Sequence, residues 1–291
     1  MAIQDAHAGD EAGEGENYFV SMTDMMVGVL FVFIIMLMAF ALNFQQQTDR
    51  QEENINVAKE VAEKLGQLEN QVRSRIDEIR EASALRSKLL RDLREALVTE
   101  GLVVEIDEAN GVLRLTEAAV QFPSNESFLD NTPKPDVGKD NTPKANVGKI
   151  ARVLARVLPG YSVCSEGQVA PCRRSTQSAV ETVFIEGHTD QSGSDDRNWT
   201  LSTERAVNTY RELTAVSPDL RRLRNRSGEE ILSVSGYSST RQIDPSRSPA
   251  AYQKNRRIDL RFVMEVDGGA GLQDIRTLVD GMRSEIEKLK R

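Results

Sequence analysis

ETVFIEGHTD, residues 181–190, is the stretch on which the fold turns. Its β-branched and aromatic residues run up to a glycine, as in a short buried strand. The segment from Asn198 to about Val216 then has helical spacing. ILSVSGY (231–237) and RRIDLRFVM (256–264) read as two further strands. Upstream, after Gly101, LVVEI and VLRLT flank the turn DEANG and predict a β-hairpin. Thr142 followed by Pro143 predicts a capped helix start, with VGKIARVLARVL as its body. From about residue 102 the order is strand, strand, helix, strand, helix, strand, strand. Such alternation without a glycine-rich phosphate loop predicts a compact α/β sandwich within an α+β chain.

Further toward the N-terminus, DNTPKPDVGK (130–139) is followed at once by DNTPKANVGK (140–149). Two copies are too few for a repeat architecture, so this duplication reads as a lengthened loop ahead of the helix. Residues 45–100 contain no proline and one glycine, Gly66. Val61, Leu65, Leu68, Val72, Ile76 and Ile79, then Leu89 or Leu90, Leu93 and Leu97, recur at helical spacing close to a heptad. That stripe predicts a coiled-coil stalk in a parallel homodimer; the alternative is that it packs on the chain's own C-terminal domain. MMVGVLFVFIIMLMAFALNF (25–44) is uncharged over a length that spans a bilayer, predicting one transmembrane helix over 18–44. Asp24 sits within its first turns, where a carboxylate is costly unless it faces a partner or a water-filled path. The alternative is an interfacial helix cap. At the other end, Ile275, Leu278, Met282, Ile286 and Leu289 predict an amphipathic helix within 266–291, packed on the domain or on a dimer mate.

A net charge of −8 argues against a nucleic-acid partner. Residues 1–17 carry no Lys or Arg, so they lack a signal peptide's basic start and read as a disordered cytoplasmic tail. Cys164 and Cys172 match no zinc motif; in an exported domain they would close a small disulfide loop, and otherwise they are two free thiols. His188 and His7 are the only histidines, so neither a catalytic triad nor a metal set assembles around His188, which reads as structural.

VFIEGHTD (183–190), NWTLSTERA (198–206), VSGYSS (234–239) and NRRIDLRF (255–262) resemble the four signature blocks of the OmpA-like peptidoglycan-binding family. The resemblance covers roughly residues 115–265, within a domain expected over 101–265. It implies that Asp190 and Arg205 bind the diaminopimelate of the stem peptide, whose ammonium and carboxylate suit an acid and a guanidinium together. Thr189 and Asn198 would orient the site or donate hydrogen bonds, and Asn255 and Arg256 would line it. The alternative for Asp190 and Arg205 is an internal salt bridge.

An acid at the start of a single span, a helical linker and such a domain resemble the MotB class of stator subunits. That family's first block reads as an aromatic residue, x-x, then Y-A-D-L-M-T, after a basic tail. Here Tyr18 is followed by FVSMTDMMVGVLF: Asp24 aligns, but Met22-Thr23 replace Tyr-Ala and the basic tail is absent. The departure favours resemblance to the B subunit of the Zorya anti-phage systems over a flagellar stator. The resemblance implies proton or sodium relay at Asp24 with no bound cofactor. It also implies a homodimer inside five copies of a MotA-like polytopic subunit, which signals to cytoplasmic defence effectors. Arg50, Lys59 and Lys64 weakly favour a cytoplasmic C-terminus. The wall ligand instead implies an inner-membrane protein with its N-terminus inside and its domain in the periplasm. A flagellar MotB-type stator and a passive tether between membrane and wall are the other readings; nothing assembles an enzyme's nucleophile, base and orienting group.

Overall fold

The computed structural model describes residues 13–115, 119–120, 122–129, 142–164, 172–173, 178–266 and 269–288. The tail before residue 13, the first duplicated copy (130–139) and Leu289 lie outside the described residues. The chain forms two compact units, Met1–Asn70 with Gln273–Arg291, and Gln71–Leu272.

One helix, α1 (Gly13–Thr99), contributes to both units, and no proline interrupts it. In the first unit its apolar length is bare: Val29 is 71% exposed and Phe40 71%. A core helix would hide such residues, so this length fits a membrane span. Beyond it, Val57, Val61 and Leu68 are half-buried while Leu65 stays exposed. The C-terminal helix α5 (Gly269–Lys288) runs beside this length. A side chain added at Gly281 would lie 3.9 Å from Lys64 Nζ, and Met282 is buried.

The second unit begins inside the stretch expected to be stalk. Leu89, Leu90, Leu93 and Leu97 join the hydrophobic core of the domain. The helix ends where Gly101 takes a left-handed φ of 78°. Gly101 N–H then bonds Val98 O at 2.9 Å and Leu102 N–H bonds Leu97 O at 3.0 Å, closing the helix and turning the chain back. Strands β1 (Val104–Asp107) and β2 (Val112–Leu115) form the expected hairpin. Its turn is held by Asp107 Oδ1, which accepts from Asn110 N–H at 3.1 Å.

Helix α2 (Pro143–Val157) starts as its sequence predicts: Thr142 Oγ1 accepts from Ala145 N–H at 3.2 Å. Then come β3 (Val180–Gly187), α3 (Asp195–Val216), β4 (Leu232–Gly236), a short helix α4 (Pro249–Asn255) and β5 (Ile258–Met264). The spacing pattern does not reveal α4, which is too short for periodicity and begins at a serine cap, Ser248. The sheet order is β1-β2-β5-β3-β4, with β3 and β4 parallel and the other pairs antiparallel. Val183, Ile185, Leu260 and Phe262 from the sheet share one core with Ile150, Leu154, Ala206 and Leu213 from α2 and α3. Together these elements are a C-terminal α/β sandwich, in a chain that also carries a long apolar N-terminal helix.

Two glycines fix where α3 sits. A Cβ at Gly187 would lie 1.9 Å from Ser202 O, and one at Gly236 would lie 2.2 Å from Thr203 Oγ1. They face each other in register on β3 and β4, so α3 rests on bare backbone at the strand ends.

Candidate functional site

Past Gly187 the chain leaves the sheet as His188-Thr189-Asp190, against the first turns of α3. Ser194 caps α3 there, its Oγ accepting from Arg197 N–H at 3.4 Å. A cavity of about 290 Å³ opens at this junction. Its walls are the 189–193 turn, the first turns of α3, Arg256 after α4, and Ser124 and Asn125 from the segment following β2.

Asp190 is buried in the floor. Its Oδ1 accepts from Ser192 N–H at 2.8 Å and from Ser192 Oγ; its Oδ2 accepts from Arg256 Nη1 at 2.7 Å. Burial pushes the carboxyl upward, but the Ser192 and Arg256 contacts outweigh it and hold Asp190 below its ordinary value. It is therefore a carboxylate at neutral pH. Its ion-pair partner is Arg256, not Arg205.

Arg205 is 1% exposed, and backbone carbonyls surround it. Nε donates to Glu126 O at 2.9 Å, Nη1 to His188 O at 3.4 Å and Nη2 to Pro123 O at 3.2 Å. The Phe122 ring lies 5.1 Å beneath the guanidinium. Burial, then the charges of Arg256 and Arg197, lower it to about 10, so it stays cationic. Arg205 thus ties the 122–127 segment to β3 and α3 while it faces the cavity.

The other expected site residues divide. Thr189 lines the cavity, and its buried Oγ1 has no hydrogen-bond partner among the described residues. Asn198 lines it too and steadies the turn, donating from Nδ2 to Ser192 O at 2.9 Å. Asn255 does not line it. Its Oδ1 accepts from Ile243 N–H at 2.9 Å and its Nδ2 donates to Asp244 O at 2.7 Å, so it is committed to another loop. Ser124, Asn125 and Arg197 complete the wall, and the sequence reading did not find them. Asn125 and Arg197 are 72 positions apart, joined by bonds from Arg197 Nε to Asn125 Oδ1 at 2.9 Å and from Arg197 Nη2 to Asn125 O at 3.1 Å.

Behind the cavity, on the sheet face away from α3, lies a buried charged cluster. Arg261 forks onto Glu186 at 2.6 and 3.0 Å, while Arg257 and Arg114 reach Asp259 at 3.0 and 3.2 Å. His188 Nε2 lies 3.8 Å from Glu186 and 3.6 Å from Asp259, beyond hydrogen-bond length, and its ring stacks on Tyr237. Burial pushes His188 below its ordinary value and keeps it neutral at pH 7. For Glu186, burial acts upward, but His188 and Arg261 outweigh it and hold the carboxyl at about 2. Glu186, His188 and Asp259 are close enough to surround an ion. Their carboxylate oxygens are already taken by guanidinium groups, so the set does not fit a metal.

Cys164 and Cys172 are joined by a disulfide. Beside it, Cys164 N–H bonds Arg173 O at 2.9 Å. Asp24 lies on the exposed surface of α1, next to the exposed Met25 and Met26.

Residues 167–256 match the OmpA family. No curated protein matches the chain. Among solved structures, a MotB-like protein of Desulfovibrio vulgaris is 20% identical over 66% of this chain and 97% of its own, with a TM-score of 0.40. The periplasmic domain of Helicobacter pylori MotB is 21% identical over 62% and 89%, with a TM-score of 0.34. The cell wall anchor of the type VI secretion system of Pseudomonas aeruginosa is 18% identical over 61% and 97%, with a TM-score of 0.36.

Proposed function

We propose that the chain grips peptidoglycan through the cavity at Asp190 and forms the anchored half of an ion-driven motor in the inner membrane. The observation that carries the wall reading is one buried carboxylate set among guanidinium groups in an OmpA-like domain. An amino-acid zwitterion matches that pairing: its ammonium meets Asp190, and its carboxylate meets Arg256 and the field of Arg205. The diaminopimelate of the stem peptide is such a group. The Cys164–Cys172 bond supports a periplasmic domain, with the N-terminus inside.

The motor reading adds Asp24. A carboxyl group at the head of a bare apolar helix takes up and releases one proton, or holds one sodium ion, per step. Two copies pair through the exposed Leu65, Val72, Ile76 and Ile79 stripe. A ring of five MotA-like subunits turns about them and, in a Zorya-type system, signals envelope disturbance to cytoplasmic effectors. The chain itself contributes relay and anchorage, not hydrolysis.

Two measurements test this. Full-length protein in detergent cosediments with purified sacculi, and Asp190→Ala abolishes retention. Asp24→Asn keeps assembly and wall binding but removes protective activity against phage. Full activity in Asp24→Asn would leave a passive tether, and motility loss on deletion would point to a flagellar stator.

A further inference from the structure

The cavity holds more positive charge than a zwitterion requires. Asp190 and Arg256 offset each other across 2.7 Å, which leaves Arg205 and Arg197 without an ion-pair partner among the described residues. Asp190 is the only carboxylate lining the cavity among the described residues. Arg205 is hidden and tied to three carbonyls, so it cannot turn toward a second anion. Arg197 differs. It is exposed, and its Nε and Nη2 hold Asn125 Oδ1 and O at 2.9 and 3.1 Å. Those two bonds fix the plane of the fork where Arg197 lines the cavity. Asn125 supplies the frame from a left-handed backbone, φ 59°. Thr189 Oγ1, in the same cavity, is buried and has no hydrogen-bond partner among the described residues.

We propose that Arg197 determines specificity by taking a second carboxylate of the ligand. The cavity then prefers a peptide end with one ammonium and two carboxylates over the same end carrying a carboxamide. This rests on the reading of the cavity as a wall-peptide site. The competing role for Arg197 is to hold Asn125 in place and nothing more.

The test uses full-length protein in detergent micelles and calorimetric titration with two stem tripeptides ending in diaminopimelate. One has its main-chain carboxylate free and the other has it as a carboxamide; the side-chain zwitterion is intact in both. Wild type should bind the free acid roughly tenfold more tightly, about 1.4 kcal/mol, with the preference shrinking as salt is added. Arg197→Ala should erase the preference by weakening the acid peptide alone, and Arg197→Lys should keep part of it. Asn125→Gly, which tolerates the left-handed backbone but removes the Oδ1 end of the frame, should shrink the preference part of the way. Equal binding of the two peptides by wild type overturns the inference while leaving the wall reading intact. So does an equal loss for both in Arg197→Ala that Asn125→Gly reproduces. Binding of neither peptide overturns the wall reading itself.

Discussion

From Leu65 to Ile79 and from Leu89 to Leu97, helix α1 carries apolar residues at similar spacing in opposite surroundings. Leu65 and Ile79 are 58% and 55% exposed, whereas Leu89, Leu90 and Leu93 are fully buried. The later length is covered because the chain reverses at Gly101 and lays the β1–β2 hairpin and the rest of the domain against it. The earlier length meets no such reversal. Periodicity therefore reports that a face wants covering and is silent about which surface covers it. One stripe, read as a single seam, has two kinds of partner: the chain itself and, as we propose, a second copy.

The largest expected effect breaks the buried length. Leu93→Ala should cost the domain about 3 kcal/mol, read by chemical denaturation, because it leaves a cavity in a packed core. Ile76→Ala should cost the same transition less than about 0.5 kcal/mol. If the two cost alike, the contrast between the lengths is lost. Breaking the Cys164–Cys172 bond, which closes a loop of sequence separation 8, should destabilise the domain by about 2.5 kcal/mol and leave stalk pairing intact. Pairing is addressed by Leu65→Ala with Ile76→Ala, which should weaken self-association roughly tenfold per substitution in sedimentation, with the domain's own melting unchanged.

The smallest effect is acid sensitivity confined to the domain. His188 is held below its ordinary value in the folded state, so the unfolded chain binds more protons below about pH 6.5. Stability should be complete above that pH and fall by up to about 1.4 kcal/mol per unit beneath it, until the folded ring also protonates. Neighbouring Glu186 titrates only near 2, outside this window. His188→Gln should flatten the pH 5 to 6.5 slope of thermal unfolding; an unchanged slope would assign it to other groups.

Much of the fold was legible because its cues are local. Alternation marked the strands, Thr142-Pro143 marked α2, and Gly101 marked the end of α1. Of the site, Asp190, Thr189, Asn198, Arg205 and Arg256 were found because a signature block brings each to the same junction. Two things were not legible. Whether Asp190 pairs with Arg205 or Arg256 depends on where a guanidinium points, which spacing cannot say. The wall at Ser124 and Asn125 comes from a distant segment of ordinary turn composition, and only tertiary packing by Arg197 and Arg205 brings it to the cavity. Asn255 shows the converse: its signature block suggested a ligand contact, and its amide serves a neighbouring loop.

The bare seat of α3 on Gly187 and Gly236 has one more consequence. The gap between helix and strand ends has no room for a side chain at either glycine, so any residue larger than glycine there must push α3 away. Room for change at the cavity lies instead on its other side, at Ser124, Asn125 and Arg197. The seat of the helix and the lip of the cavity are thus governed by different residues, one set by the absence of side chains and the other by their presence.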